Sequence, residues 1–287
     1  MADRSDLAMR MKSNYEHRYR YFLTRRTPVA IRIDGKAFHT FTAGFKTPFD
    51  EVLITSMQET MKYLCEHIQG CVLGYHQSDE ITLILIDYQS LHSDAWFDYN
   101  LAKMTSISAS MATAAFNDRF RYNASKYVRN STIFEYGHNE DERKYIKTLN
   151  DAIGQYAMFD SRVFNIPKEE VTNLILWRQQ DASRNSVEMV GRSYFSDRQL
   201  HKVNNKGIQD MLFTQYGVNW NDFPTHQKRG SCCIKEEYMI DSDGNEYSLG
   251  EYNDGIERTI RSRWIIDKEI PIFTAEGRDY IEKLINI

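Results

Sequence analysis

An α+β fold built on a split βαβ, ferredoxin-like sheet is predicted by three observations. The first is the element order strand, helix, strand, strand, helix, strand across residues 28 to 166. The second is that two strands are parted only by Ser78-Asp79, which makes a tight hairpin. The third is composition: at 287 residues, 41% hydrophobic and 13% aromatic, the chain can bury one substantial core and a smaller second lobe.

Taken in order, PVAIRID (28 to 34) is a strand ending at Asp34-Gly35, and FDEVLITSMQETMKYLCEHI (49 to 68) has apolar residues at helical spacing. CVLGYHQ and EITLILI form the hairpin. A second helix runs from about Asp94 to Asp118, with Phe97, Leu101, Met104, Ser108, Met111 and Ala115 along one face. A polar stretch containing HNEDERK reads as a loop, and YAMFDSRVFNI (156 to 166) supplies the fourth strand. From Pro167 the segment KEEVTNLILWRQQDASRNSVEMVGRSYF reads as a helix, followed by polar segments, a hairpin across DSDGN and a last helix near Ala275 to Asn286. The expected organisation is therefore a catalytic domain over residues 1–166 with a mostly helical lobe, 167–287, packed on it. No repeat or Pro/Gly-rich linker separates the two.

Composition narrows the function classes. No stretch approaches the roughly 20 apolar residues of a membrane span, and the N-terminus has no apolar signal run, so a cytoplasmic protein without membrane contact is expected. Cys65, Cys71, Cys232 and Cys233 lack paired metal-ligand spacing and are expected to be reduced, structural thiols. A net charge of −4 argues against a uniformly basic surface. Two local clusters, Arg18/Arg20/Arg25/Arg26 and Lys228/Arg229, remain able to grip a polyanion.

The chemistry concentrates on two acids. In the split βαβ order, strand one lies beside the hairpin, so Asp34 and Asp79 are predicted to meet at one sheet edge. Two close carboxylates repel unless a cation sits between them. Magnesium suits such a site, since it takes one or two carboxylates together with substrate phosphates and water, and two ions can clamp a phosphoryl transfer. Asp34 and Asp79 would bridge the metals, with the Gly35 carbonyl as a further ligand. The turn Lys36-Ala37-Phe38-His39 offers amides for a triphosphate, and Lys103 is a further candidate phosphate contact. Taken singly, an Asp-Gly after a strand is a turn, Ser-Asp between strands is a hairpin tip, and Lys103 is a solvated helix charge. Glu80 is either a third metal-site acid or a charge at a strand start, and His39 either stacks on a base or is an idle surface residue.

Other motifs are excluded. There is no phosphate-binding Gly-rich loop ending in Lys-Ser/Thr and no dinucleotide glycine triplet. The Asp241-Ser-Asp-Gly-Asn245 run has its glycine at the fourth position and Tyr252 where a calcium loop closes with Glu, so it reads as a turn. Besides transfer to RNA, a cyclase-like enzyme acting on its own ribose and a non-catalytic RNA-binding protein are compatible with these features.

RIDGKAFHTF (32 to 41), GFKTPFDE (44 to 51), GYHQSDEITLIL (74 to 85), AKMTSISAS (102 to 110), FDSRVFNIP (159 to 167) and WRQQDASRNS (177 to 186) together resemble the tRNA-histidine guanylyltransferase family and its 3'-5' polymerase relatives. The resemblance implies a polymerase-like palm with two magnesium ions, acting on the 5' end and acceptor stem of a tRNA. It implies activation of a 5'-monophosphate by ATP or GTP, then attack by the 3'-hydroxyl of an incoming NTP. By position, Asp34, Gly35 and Asp79 resemble the metal ligands, Glu80 a neighbouring acid, and Lys36 to His39 the nucleotide contact. Ser78, Lys46, Lys103, Arg162, Asn185 and Lys206 resemble residues around the activation and tRNA 5'-end sites, with Lys228-Arg229-Gly230 a basic turn. A homotetramer is also implied.

One run departs from the family. Members that mark tRNA-histidine carry His-Ile-Asn-Asn where this chain has Ser183-Arg184-Asn185-Ser186. The departure resembles relatives that repair 5'-truncated tRNA against the opposite strand, with selectivity supplied by base pairing. Templated repair is accordingly the expected activity, with guanosine addition to tRNA-histidine as the alternative.

Overall fold

The computed structural model describes residues 5–133, 140–250, 252 and 256–286. A nine-residue helix, α1 (Asp6–Asn14), precedes β1 (Val29–Gly35), the one-turn α2 (Phe38–Phe41) and α3 (Glu51–His67). Asp50 caps α3 by accepting the Leu53 amide at 2.9 Å. The hairpin β2 (Cys71–Gln77) and β3 (Glu80–Leu85) follows as read, turning through Ser78-Asp79. The second long helix, α4 (Leu101–Ile133), starts later and runs further than its apolar spacing predicts. Its expected first turn is instead a 3-10 segment, because Phe97 and Asp98 adopt left-handed backbone angles.

The expected loop over HNEDERK is corrected: α5 (Glu140–Ile153) begins within it, while His138 and Asn139 lie outside the described residues. Tyr145, Leu149 and Ala152, spaced four and three apart, are its only buried side chains. The charges Glu140, Asp141 and Glu142 occupy its first turn, where they complement the helix dipole. β4 (Phe159–Asn165) and α6 (Val171–Tyr194) then fall where expected.

Four strands form an antiparallel sheet in the order β4-β1-β3-β2, with Asp34 opposite Glu80 on one side and Asp160 on the other. Opposed residues share a face. Val29, Ile31, Ile33, Ile81, Leu83 and Leu85 pack on α3 and α4, with the rings of Phe38, Phe41, Phe116, Phe120 and Phe159 filling the same core. Ala30, Leu73, Tyr75 and Ile84 face the other way, against Ile175 of α6.

The second half is less helical than expected. After α7 (Asp197–Leu200), α8 (Asn205–Tyr216) and α9 (Thr225–Arg229), β5 (Ser231–Asp241) joins the free edge of β2 through Gly74, Tyr75 and His76. The DSDGN hairpin is present: β6 (Glu246–Tyr247) returns along β5. β7 (Arg258–Asp267) pairs with the whole of β5, and α10 (Asp279–Ile285) closes the face beside α6. All four cysteines are free, and Cys65, Cys232 and Cys233 are buried. Among the described residues no helix is long and apolar enough to cross a membrane.

Candidate active site

The last residue of β1 and the β2–β3 turn are joined directly, since the Gly35 amide donates to the Asp79 carbonyl at 3.1 Å. Asp34 and Asp79 therefore stand together at one end of the sheet, as the element order predicts. The Asp79 carboxyl is pushed above the ordinary carboxylate range, first by burial and then by the charge of Asp34, against hydrogen bonds from its own amide and the Ser78 side chain. No lysine or arginine among the described residues forms an ion pair with either acid. Two other buried acids are matched by cations, Asp87 by Arg25 at 2.6 Å and Glu80 by Arg178 at 2.6 Å, and buried Asp50 is held by the Lys46 and Leu53 amides and the Tyr145 hydroxyl. Two unmatched, mutually repelling carboxylates beside a terminal strand carbonyl fit a hard divalent cation that keeps water and phosphate ligands. Among the described residues no group of three or more His, Cys, Asp or Glu could enclose a metal, so any ion here must draw other ligands from substrate or water.

The turn after Asp34 is shaped by sterics. A Cβ on Gly35 would lie 2.2 Å from the Phe38 ring, so only glycine allows the ring to tuck under the strand end. Ala37 takes a left-handed conformation (φ 54°) to start α2, and Lys36, Ala37 and His39 are exposed. The Lys36 amide is used by the Met158 carbonyl at 2.8 Å. The first amides of α2 have no intrahelical acceptor and remain the candidate anion contacts. The Phe38 ring takes no part in such a contact, being 5% exposed and packed 5.1 Å from Phe159 and 5.4 Å from Phe116, which leaves only the residue's backbone amide.

Glu80 is likewise corrected. Its carboxylate accepts from Arg32 (2.6 and 2.8 Å) and Arg178 (2.6 and 2.9 Å), and both Glu80 and Arg178 are buried. With both oxygens held, it anchors the start of β3 to β1 and α6 and has little left for a metal. Arg178 therefore belongs to this buried triad and not to the surface.

Ser78, at φ 53°, opens into a small cleft that Asn185, Met189, Asp50, His226 and Gly230 also line. Ser78 of the β2–β3 turn and Asn185 of α6 thus line the same cleft. His76 beneath them is fully enclosed; burial, with His226 nearby and against the Ser78 carbonyl, holds its pKa down to about 4. His76 and His226 escaped sequence reasoning, because nothing in their spacing marks a shared cavity.

Other expected contacts disperse. The Lys46 ammonium lies 2.5 Å from the Tyr127 hydroxyl and 3.2 Å from Glu142, although its amide donates to Asp50 at the cleft. Lys103 lies in the first turn of α4, away from the acids: its amide is capped by Asn100, whereas Thr113 is the position that reaches Phe159 beside Gly35. Ten residues of helix separate Lys103 from Thr113, roughly 15 Å at the helical rise. Arg162 is exposed on β4, level with Arg32, and Lys206 is exposed on α8. The Lys228 ammonium is buried on the Asn221 carbonyl and over the Trp220 ring, leaving only the partly exposed Arg229 of that turn toward solvent.

Residues 8–167, more than half the chain, match the family described as tRNAHis guanylyltransferase (Thg1). The chain belongs to that family. Its members are nucleotidyltransferases, and this chain is one. A probable tRNA(His) guanylyltransferase of Dictyostelium discoideum is 25% identical over 72% of this chain and 75% of its own length. The tRNA(His) guanylyltransferase of Schizosaccharomyces pombe is 25% identical over 78% and 81%. A solved bacterial tRNA(His) guanylyltransferase-like protein in complex with ATP is 38% identical, covers 98% of this chain and 100% of its own, and superimposes with a TM-score of 0.76. The same description in complex with GTP aligns at 0.72.

Proposed function

We propose that this guanylyltransferase adds guanylate to the 5' end of tRNA-histidine in the 3'-5' direction, after activating the 5'-monophosphate with ATP or GTP. The observation that carries the reading is the juxtaposition of Asp34 and Asp79 with no basic partner, in a chain whose family and named relatives share this activity. The strand order β4-β1-β3-β2 supports a ferredoxin-like palm over residues 1–166, with 167–287 as its appended lobe. Magnesium, as two ions held by Asp34, Gly35 and Asp79, would neutralise phosphate charge and align attacking and leaving oxygens.

The chain's own contribution is positioning. The α2 amides and Lys36 orient the triphosphate, with His39 at hand for the base. The Glu80–Arg32–Arg178 triad fixes the β3 start, so Asp79 is held level with Asp34. Ser78 and Asn185 border the cleft that receives the activating nucleotide or the RNA end, while Arg162, Lys206 and Arg229 are placed to meet RNA phosphates. A cytoplasmic homotetramer completes this reading.

The sequence departure ranks templated repair first; the relatives reverse that order. Templated repair stays as a second reading because Ser183-Arg184-Asn185-Ser186 replaces the histidine-bearing run and Asn185 faces the cleft. Incubation of monophosphorylated tRNA-histidine and of a tRNA lacking its first nucleotide with labelled NTPs tests both. Guanosine addition to the first, whatever base lies opposite, supports the leading reading; addition restricted to the complement of the opposing base supports the second. No magnesium-dependent addition to either would refute both, and product from NTP alone would indicate a cyclase.

A further inference from the structure

The segment from Ser5 to Phe22 buries nothing. α1 has no buried residue, and every position from Met11 to Phe22 is exposed. A nine-residue helix is marginal in water on its own and gains most of its stability from packing, which this one lacks within the chain. Its apolar groups face outward: Leu7, Met9 and Met11 on the helix, and beyond it a run of rings in which Tyr15 is 61% exposed, Tyr19 75%, Tyr21 65% and Phe22 54%.

Residues 5–26 hold six lysines and arginines against two acids, in a chain whose net charge is −4. The structure separates these cations. Arg25 is taken by Asp87 and Asp98, and Arg26 by the carbonyls of Ser90 and Leu91. Arg20 pairs with Glu16 on the exposed surface. Arg10, Lys12 and Arg18 face solvent among the tyrosines.

The base of the segment is fixed. The Leu101 amide donates to the Tyr21 carbonyl at 2.9 Å and the Leu23 amide to Tyr99 at 3.0 Å. Exposed Phe97, with Lys103 5.8 Å from its ring, adjoins that anchor and extends the same mixture of rings and cations. The Thr24 amide bonds Asn165, which pairs with Val29, so the segment springs from the end of the sheet opposite Asp34. Val29 and Asp34 are five residue steps apart, roughly 17 Å at the extended rise.

We infer that the segment 10–22, with Phe97 and Lys103, is a docking surface for RNA remote from the reacting end, its tyrosines stacking on unpaired bases and its cations meeting phosphates. Charge and ring chemistry together name the occupant: cations interleaved with exposed rings match the phosphates and unstacked bases of single-stranded RNA. The inference rests on the proposed tRNA substrate.

The test is equilibrium binding of monophosphorylated tRNA-histidine across a salt series, with ATP affinity and melting temperature as controls for folding. Arg10→Ala/Lys12→Ala/Arg18→Ala should weaken binding about tenfold to a hundredfold and flatten the slope of log K against log salt by about two to three. Tyr15→Ala/Tyr19→Ala should weaken binding with the slope retained, because stacking releases no counterions. KM for tRNA should rise by the same factors. Affinities within twofold of the parent overturn the inference, as does a change in sedimentation with RNA affinity unaltered, which would make the face a contact between copies. Absence of tRNA binding by the parent protein would instead sink the proposed function itself.

Discussion

Gly35 and Asp79 are joined by a backbone hydrogen bond of 3.1 Å, so the end of one strand and the tip of a hairpin more than forty residues away are a single structural unit. Asp34 and Asp79 cannot separate without breaking it. The repulsion between them is built into the fold. Asp79→Asn should abolish nucleotide addition while raising stability at neutral pH without divalent ions. The sign follows from the raised pKa: above the ordinary 3.8 the folded state holds a proton more tightly than the unfolded chain, so ionisation weakens the fold as pH rises. Urea denaturation of both proteins should show the gap closing as pH falls toward that value. A variant less stable than the parent at neutral pH would contradict the account.

Gly35→Ala should damage the turn and not the acids. Its Cβ would meet the Phe38 ring at 2.2 Å, and that ring is wedged among Phe41, Phe116 and Phe159. Overpacking of this kind costs about 1–3 kcal/mol. Thermal melts should record that loss, and ATP affinity should fall with it as the Lys36 to His39 turn is displaced.

Glu80→Ala should be a stability variant first. It leaves Arg178, whose side chain is 5% exposed, beside Arg32 with only the partly exposed Asp181 as a counter-charge. Removing one partner of a buried pair costs about 3–5 kcal/mol. Replacing Arg178 by Met in the same protein should recover much of that loss in chemical denaturation, an outcome foreign to a metal ligand.

His76 imposes a pH dependence of opposite sign to Asp79. With the folded pKa at about 4 against an ordinary 6.5, the unfolded chain binds the extra proton between those values. Stability should fall as pH drops from 6.5 toward 4, by on the order of 3 kcal/mol at most. His76→Gln should flatten that portion of the stability profile, measured by urea midpoints; an unchanged slope would mean that His76 is charged in the folded protein.

The core sheet was legible because short apolar runs bounded by turn residues mark its strands, PVAIRID, CVLGYHQ and EITLILI, and Ser78-Asp79 joins the last two as a tight hairpin. Asp34 and Asp79 follow from that order alone. α5 was not legible, since one stripe of Tyr145, Leu149 and Ala152 is hidden within a heavily charged run. Glu80 was ambiguous for a different reason. Its partner Arg178 lies 98 residues away, and no spacing rule reports which distant cation folding will deliver. The same non-local packing withdrew Lys46 into a tyrosine cluster and Lys228 beneath Trp220.

β5 completes the sheet by covering the edge of β2, and Ile175, Ile281 and Ile285 roof the face that carries Asp34. The stretch matching the family ends at residue 167, before any of these. A chain cut there would keep both acids yet present a bare strand edge and an unroofed greasy surface, the conditions for sticking to other molecules. The tail is therefore a folding requirement of the half that carries the chemistry, and shortening the enzyme to its most recognisable portion should yield insoluble material.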